Sequence, residues 1–460
     1  MFPEAFIARI KQQPYIESEG LLRALEAPSP VTIRINRNKW DHDPLNSVPV
    51  PWCRDGFYLD ARPSFTLDPL FHAGCYYPQE ASGMFLEEAI RQAGVNNSNI
   101  KVLDLCGAPG GKSTHLSTLI GSRGLLVANE VIRTRAAVLA ENLTKWGLSN
   151  AVVTQNDPSA FSRLPGFFDL ILVDAPCSGE GMFRDRVAVN EWSEENTFLC
   201  SERQKRILSD VWPALKEDGI LIYSTCTFNP GENELNMKWF THRHEAETLA
   251  LDISAYKNIT VINRQGVHGY GFFPGRIRGE GFFISILRKK ERPREVNFKA
   301  RPGSLNQMTR KEKAIVAEWT HFPADNVVKM GNEVIVPACS RDDLQTLSGI
   351  LRIIRAGTGI YTVKADKYLP LHEAAMSVYF NKESFPAISV SLDQALSYLS
   401  RGGILQDNVQ KGWSIVSYEG VSLGFINNIG KRINNYYPVN WRIRMSTQQN
   451  NQEKSIKWFT

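Results

Sequence analysis

Between residues 100 and 290 the chain alternates short apolar runs with longer mixed stretches. The runs IKVLDL (100–105), GLLVANE (124–130), AVVTQ (151–155), FDLILVD (168–174) and GILIYST (219–225) are rich in β-branched residues and read as buried strands. RTRAAVLAENLTKWG (133–147) and LCSERQKRILSDVWPALKEDG (199–219) carry apolar residues at helical spacing. Such alternation predicts an α/β core, a parallel sheet covered by helices on both faces. GFFISIL (281–287) would be a late strand closing it, which gives the core the bounds 96–290.

Residues 1–95 read as a separate N-terminal lobe, rich in Pro, with TIRIN (32–36) alternating as a strand and SGMFLEEAIRQAG (82–94) spaced as a helix ended by Gly94. Residues 291–308 read as a basic linker. A first C-terminal α+β domain would span 309–390, with a helix near 309–320 and a hairpin, VVKMGNEVIV, turning at Gly331-Asn332. A last domain would span 391–460. Ser391 and Gln394 form a capping box for a helix stopping at Gly402, and WSIVSYEGVSLGFI turns near Glu419-Gly420.

Composition changes this picture little. A length of 460 residues suits roughly three domains. Hydrophobic content of 43% and charged content of 22% are ordinary for globular chains. No run approaches the roughly 18 apolar residues of a membrane helix. MFPEAFIARIKQQPY lacks the apolar stretch of a secretory signal, so a cytoplasmic protein without membrane contact is expected. The seven cysteines, at 53, 75, 106, 177, 200, 226 and 339, show no Cys-x-x-Cys spacing. That argues against a zinc site and against a disulfide framework, so no metal is expected.

The net charge is +5, and its distribution is uneven. Arg288, Lys289, Lys290, Arg292, Arg294, Lys299, Arg301, Arg310, Lys311 and Lys313 crowd one stretch. Lys431, Arg432, Arg442 and Arg444 lie among Tyr436, Tyr437 and Trp441. Basic residues mixed with aromatics suit a phosphate backbone with exposed bases, though a solvated linker and tail would look the same.

Candidate chemistry gathers at the strand ends. The first core strand runs into DLCGAPGGKSTHL (104–116). A phosphate-binding loop would need Gly where Cys106 stands, and Gly107, Gly110 and Gly111 do not fit the dinucleotide spacing. An S-adenosylmethionine loop remains, formed by Cys106, Gly107, Ala108, Pro109, Gly110, Gly111 and Lys112, with glycines admitting the ligand close to the backbone. Glu130, Asp157 and Asp174 end the next three strands, where ligands of such sheets bind. Glu130 would grip ribose hydroxyls and Asp157 would accept from the adenine amino group.

Two cysteines leave the sheet at the same edge, Cys177 in DAPCSGEGMFR (174–184) and Cys226 in STCTFNPGENE (224–234). If the two strands are neighbours, their spacing of about 4.8 Å sets both thiols within reach of one base. C5 of cytosine is a poor nucleophile. A thiolate adding at C6 makes C5 electron-rich enough to attack a sulfonium methyl, and the C5 proton must then leave. Asp174 would stabilise charge developing on the ring. Physics alone does not choose between the two thiols.

Together DLCGAPGGKS, DAPCSGEGMFR and YSTCTFNPGENE strongly resemble the Nop/Sun family of RNA cytosine-5 methyltransferases, in particular its bacterial type acting on ribosomal RNA. TIRIN, YYPQEASGMFL and GEGFF match the family's flanking signatures, and GWSIVSYEGVSLGF with NNYYP resembles its C-terminal PUA-like RNA-binding domain. The resemblance implies a Rossmann-like methyltransferase core and S-adenosylmethionine as cofactor. It assigns Cys226 as nucleophile and Cys177 to the release step, whereas DNA cytosine-5 methyltransferases attack with the proline-cysteine residue. The implied partner is RNA, ribosomal RNA or a ribosomal subunit, with no obligate protein partner. Relatives commonly carry a Pro-His pair before GEGFF, and here Gly275 stands where the His would be. The rival expectation is a non-catalytic RNA-binding assembly factor on the same fold.

Overall fold

The computed structural model describes residues 2–95, 99–264, 266–292, 308–323, 326–365, 367–403, 409–445 and 455–459. The N-terminal lobe holds β1 (Val31–Ile35), β2 (Val48–Pro49), β3 (Gly56–Leu59) and β4 (Tyr76–Pro78), in the order β2-β3-β1-β4. Before them, the helices Glu4–Lys11 and Ser18–Glu26 bury Phe6, Ile10, Leu21 and Leu25 in one cluster with Phe183 and Phe228 of the core. The stretch expected as one helix over 82–94 is a 3-10 turn, Ser82–Phe85, running into a helix, Leu86–Gln92. The Glu80 carboxylate accepts from the backbone N–H groups of Ser82 and Gly83, both at 2.9 Å, and tightens that first turn.

The core sheet follows as β5 (Lys101–Asp104), β6 (Leu125–Asn129), β7 (Ala151–Thr154), β8 (Phe168–Asp174), β9 (Leu215–Thr225), β10 (Ala246–Thr248), β11 (Thr260–Arg264), β12 (Val267–Phe272) and β13 (Phe282–Lys289). Strands β7-β6-β5-β8-β9 are parallel, and β13 pairs antiparallel with β9. The five parallel strands are the five predicted runs. They read as continuous apolar runs because helices bury both faces of the sheet. The order reverses between β5 and β8, which opens a crevice at their carboxyl ends.

The C-terminal half adds β14 (Val328–Met330), β15 (Glu333–Pro337), β16 (Ile353–Arg355), β17 (Gly357–Lys364) and β18 (Lys367–Pro370). Four of these form a sheet of their own, β14-β15-β17-β18. The exception is β16, which leaves it and pairs antiparallel with β7, extending the core sheet. A last sheet orders β19 (Ala387–Ser389), β20 (Gly412–Tyr418), β21 (Val421–Asn428) and β22 (Ile433–Asn435). Its first strand precedes Ser391, where the sequence reading opens this unit. The Ser391–Gln394 capping box is present on the helix Leu392–Leu399, and the turn at Glu419-Gly420 has φ of 48° and 74°. The last unit shares a core with the N-terminal lobe, where Trp40 and Tyr76 meet Leu396, Tyr437 and Trp458.

Two basic-aromatic readings change. Lys289 is buried in β13 and donates to the carbonyls of Trp212 (2.8 Å) and Leu215 (3.0 Å), so it cannot meet a phosphate. Tyr437 is also buried, while Tyr436 is exposed. Arg294, Lys299 and Arg301 lie outside the described residues.

Candidate active site

The loop after β5 is shaped by a buried carboxylate. Asp104 accepts from Ser113 Oγ at 2.6 Å, which ties the strand end to the helix Gly111–Leu119, and burial pushes its carboxyl up to about 7. A methyl carbon on Gly107 would lie 2.7 Å from Ser113 Oγ, so only glycine fits there. Gly110 has φ of 122° and allows the loop to enter the helix. Arg135 donates to the Ala108 carbonyl at 2.9 Å, and Asn142 to that of Pro109 at 2.8 Å.

Two cavities open beside this loop. One, of about 600 Å³, runs along the ends of β6, β7 and β8 past Glu130, Val131, Asp157, Pro158 and Cys177. The other, of about 440 Å³, lies between the core and the N-terminal lobe, lined by Tyr77, Gln79, Lys112, Arg184 and Phe282. They share Cys106, Ala108, Asp174, Met182 and Cys226. Every predicted site residue lines one or both except Gly110, which faces Asn142 instead.

Glu130 is buried, accepts from the Ile132 N–H at 3.0 Å and lies 3.4 Å from Arg135. Asp157 is half exposed at the rim. It caps the 3-10 turn Pro158–Arg163 by accepting from Ser159 N–H at 3.1 Å, and pairs with Arg206 at 3.4 Å. Asp174 accepts from Ser224 Oγ at 2.7 Å and from Lys112 Nζ at 2.9 Å. Burial works against the Lys112 ammonium, but the Asp174 carboxylate outweighs it and raises the ammonium's pKa; Cys226 acts in the same direction.

The two thiols converge where the cavities meet. Cys177 Sγ lies 3.2 Å from Cys226 Sγ, which is itself 3.8 Å from Met182 Sδ. The Cys177 thiol is held well above its ordinary range, first by its hydrogen bond to Cys226 and then by burial. It therefore keeps its proton and can donate it toward Cys226.

Residues outside the sequence reading hold this pair. Glu232 is fully buried and accepts from Ser178 N–H (2.9 Å), Ser178 Oγ (2.5 Å) and Gln204 Nε2 (3.0 Å). Burial pushes its carboxyl up to about 7. Glu180, also fully buried, accepts from the Phe228 N–H at 3.2 Å, from Trp192 Nε1 at 2.9 Å and from Arg9 of the N-terminal lobe. The Gly181 N–H donates to the Cys226 carbonyl at 2.9 Å. Both glutamates stand in the quoted motifs, which was the available signal; their roles depend on partners distant in sequence. Gly275 has φ of 93°, and a methyl carbon there would lie 2.9 Å from the Gly20 carbonyl oxygen. The backbone therefore requires glycine where relatives would carry His.

Comparison with known proteins agrees along the chain. Residues 93–288 match the family described as 16S rRNA methyltransferase RsmB/F, residues 2–81 the N-terminal domain of 16S rRNA methyltransferase RsmF, and residues 385–443 the methyltransferase RsmF PUA domain. The chain is 30% identical to ribosomal RNA small subunit methyltransferase F of Klebsiella pneumoniae (strain 342), over 95% of this chain and 96% of that one. It is 30% identical to the enzyme of the same name from Aliivibrio salmonicida (strain LFI1238), with 95% and 96% covered. A methyltransferase homologue from Pyrococcus horikoshii superposes with a TM-score of 0.54 at 28% identity, over 63% of this chain and 95% of that one. NSun6 of the same organism, solved with SFG, gives 0.50 at 20% identity, with 63% and 99% covered, and so speaks for the fold.

Proposed function

The chain belongs to the RsmB/F family of 16S rRNA methyltransferases, and from that premise we propose that it methylates C5 of cytosine in small-subunit ribosomal RNA through a covalent Cys226–C6 adduct. The observation that carries the reading is the pair of thiols 3.2 Å apart at the junction of two cavities. A cofactor and a base can approach that junction from opposite sides.

The larger cavity fits S-adenosylmethionine. Its wall follows the loop after β5 at Cys106 and Ala108, Glu130 suits a ribose diol, and Asp157 suits an amino group at the rim. Bound there, S-adenosylmethionine supplies an electrophilic methyl group. The chain's own residues prepare the base. The target cytosine must leave its stack, because a stacked ring cannot offer C6 to a thiol. Cys226 adds as thiolate to C6, forming the S–C6 bond and breaking the C5–C6 π bond. Asp174 lies against the amidine edge of the ring, and the Lys112 ammonium offsets the negative charge that addition places there. Once C5 carries its methyl group, Cys177 gives its proton to the departing Cys226 sulfur and, as thiolate, takes the proton from C5; the C6–S bond breaks and the C5–C6 double bond re-forms. Cys177 assists this release, its S–H directed at the departing sulfur. Both thiols must stay reduced, which suits a cytoplasmic location.

The test is labelled methyl transfer to ribosomal RNA. Cys226→Ala should abolish it, and Cys177→Ala should accumulate a protein–RNA adduct stable to denaturing gels. Wild-type transfer by both variants would refute the two-thiol scheme, whereas undiminished cellular function of a Cys226→Ala strain would favour the non-catalytic assembly factor.

A further inference from the structure

The strand β16 belongs by sequence to the C-terminal half, yet it sits at the edge of the core sheet beside the end of β7. Two side-chain carboxamides connect it to the cofactor loop in series. Asn129, buried at the end of β6, clasps the peptide of Asn156. Its Oδ1 accepts from the Asn156 N–H and its Nδ2 donates to the Asn156 carbonyl, both at 3.0 Å. Asn129 also holds the loop after β5. Its Nδ2 donates to the Leu105 carbonyl at 3.1 Å, and its own carbonyl accepts from the Gly107 N–H at 2.8 Å.

Asn156 repeats the device one step outward. Its Oδ1 accepts from the Arg352 N–H at 3.0 Å, and its Nδ2 donates to the Arg352 carbonyl at 3.3 Å. The Gln155 N–H donates to the same carbonyl at 3.0 Å. Arg352 immediately precedes β16, and Asn156 immediately precedes Asp157 at the rim of the larger cavity. A carboxamide paired with the N–H and the carbonyl of one residue fixes both a distance and an orientation, because its donor and its acceptor are both engaged. Two such pairs in series run from Arg352 to the backbone of Leu105 and Gly107.

We propose that the Arg352 segment of the C-terminal half is part of the cofactor site, and that Asn156 is a positioning residue through which it sets the cofactor loop and the Asp157 rim. The inference rests on reading the larger cavity as the S-adenosylmethionine site. It implies that the core's cofactor affinity depends on the docked C-terminal half as well as on its own residues.

A second contact between the same two parts provides the control. Lys101 at the start of β5 pairs with Asp343 in the helix Arg341–Ile350 at 2.5 Å. It anchors the same C-terminal unit at the amino end of the sheet, away from the cofactor loop. Loosening either contact weakens docking, and only one leads to the loop.

The experiment measures S-adenosylmethionine binding to the full-length protein by calorimetry, together with steady-state kinetics on ribosomal RNA. Asn156→Ala removes both bonds to Arg352 and should raise the dissociation constant and the KM for S-adenosylmethionine about five- to tenfold, equivalent to about 1–1.4 kcal/mol. The turnover number and the KM for RNA should change less than twofold. Asn156→Asp keeps the acceptor for Arg352 and should fall between. Asp343→Asn should lower the melting temperature as Asn156→Ala does, while leaving cofactor affinity as in wild type. Wild-type affinity in Asn156→Ala would overturn the proposal, as would an equal loss of affinity in Asp343→Asn, which would mean that docking in general sets the site. If the wild-type protein itself binds no S-adenosylmethionine, the assignment of the cavity fails instead.

Discussion

Gly281→Ala should inactivate the enzyme although residue 281 carries no reactive group. A methyl carbon at this position would lie 2.4 Å from two ring carbons of Phe228 and 2.5 Å from the Gly181 Cα. Carbon atoms rest at roughly 3.5–4.0 Å, so the neighbours must yield by about 1 Å or more. They are not free to do so independently. Phe228 is two residues from Cys226, and its N–H is held by buried Glu180. Gly181 donates to the Cys226 carbonyl and accepts from the Gly281 N–H. Overpacking of this kind costs ~1–3 kcal/mol of stability, which should lower the melting temperature by a few degrees. The larger effect should fall on catalysis. A shift of about 1 Å in the segment carrying Cys226 should lower kcat/KM for methyl transfer on the order of 100-fold. Calorimetric binding of S-adenosylmethionine should change little, since residue 281 does not line that cavity. Gly403→Ala, where a methyl carbon meets nothing within 4 Å, is the matched control and should be silent. Wild-type turnover in Gly281→Ala would refute the claim that contact between the 181 and 281 backbones fixes Cys226.

Two further predictions concern stability. Glu232 has its carboxyl raised from 4.5 to about 7, so in the folded state it stays protonated where the unfolded chain ionises. Its stabilising contribution is full below 4.5 and is lost as pH rises through about 7, amounting to about 3 kcal/mol at roughly 1.36 kcal/mol per pH unit. Glu232→Gln lacks this titration. Measured by denaturant unfolding, it should gain on wild type between pH 5 and pH 8 by on the order of 3 kcal/mol; parallel pH profiles would show that the carboxylate is ionised in the native protein. Trp458 packs 5.5 Å from Trp40 and 5.7 Å from Tyr76 between ring centroids, and the Leu45 N–H donates to the neighbouring Lys457 carbonyl at 2.8 Å. Trp458→Ala should cost ~3–5 kcal/mol at that contact and expose the C-terminal segment to proteolysis while sparing cofactor binding. An unchanged melting temperature together with an unchanged digestion pattern would show that this segment does not tie the last unit to the N-terminal lobe.

The parts of this protein legible in its sequence are those specified by local chemistry. Parallel strands buried on both faces need continuous apolar runs, and the five runs are visible as such. The start of β9 at Leu215 was hidden, because Lys216, Glu217 and Asp218 interrupt the run, the first half-buried and the other two exposed. The three residues of β16 carry too little pattern to announce that they leave their own sheet. The two thiols could be placed at one edge because parallel strands all end on the same side of the sheet; that β8 and β9 are neighbours is seen only in the fold. Their braces could not be read, since Arg9 meets Glu180 across 171 residues and Gln204 meets Glu232 across 28. Lys289 illustrates the converse error. Charge is visible in a sequence, whereas the carbonyls of Trp212 and Leu215 that receive this ammonium are not.

The proposed division of labour between the thiols has a basis in their surroundings as well as in the family pattern. At a separation of 3.2 Å two thiolates would repel strongly, so the pair ionises one proton at a time. Cys177 is half-buried near Glu232 and lines only the larger cavity. Cys226 lines both cavities, and its charge acts together with that of Asp174 to raise the pKa of the Lys112 ammonium. The remaining proton therefore favours Cys177, and Cys226 is the sulfur that a base entering from the N-terminal lobe would meet. Exchanging the roles would place the proton beside the Lys112 ammonium and the anion farther from it, the less stable arrangement. A Lys112→Met variant removes this bias and should shift the pH profile of methyl transfer toward higher pH. An unshifted profile would mean that the ammonium plays no part in selecting Cys226.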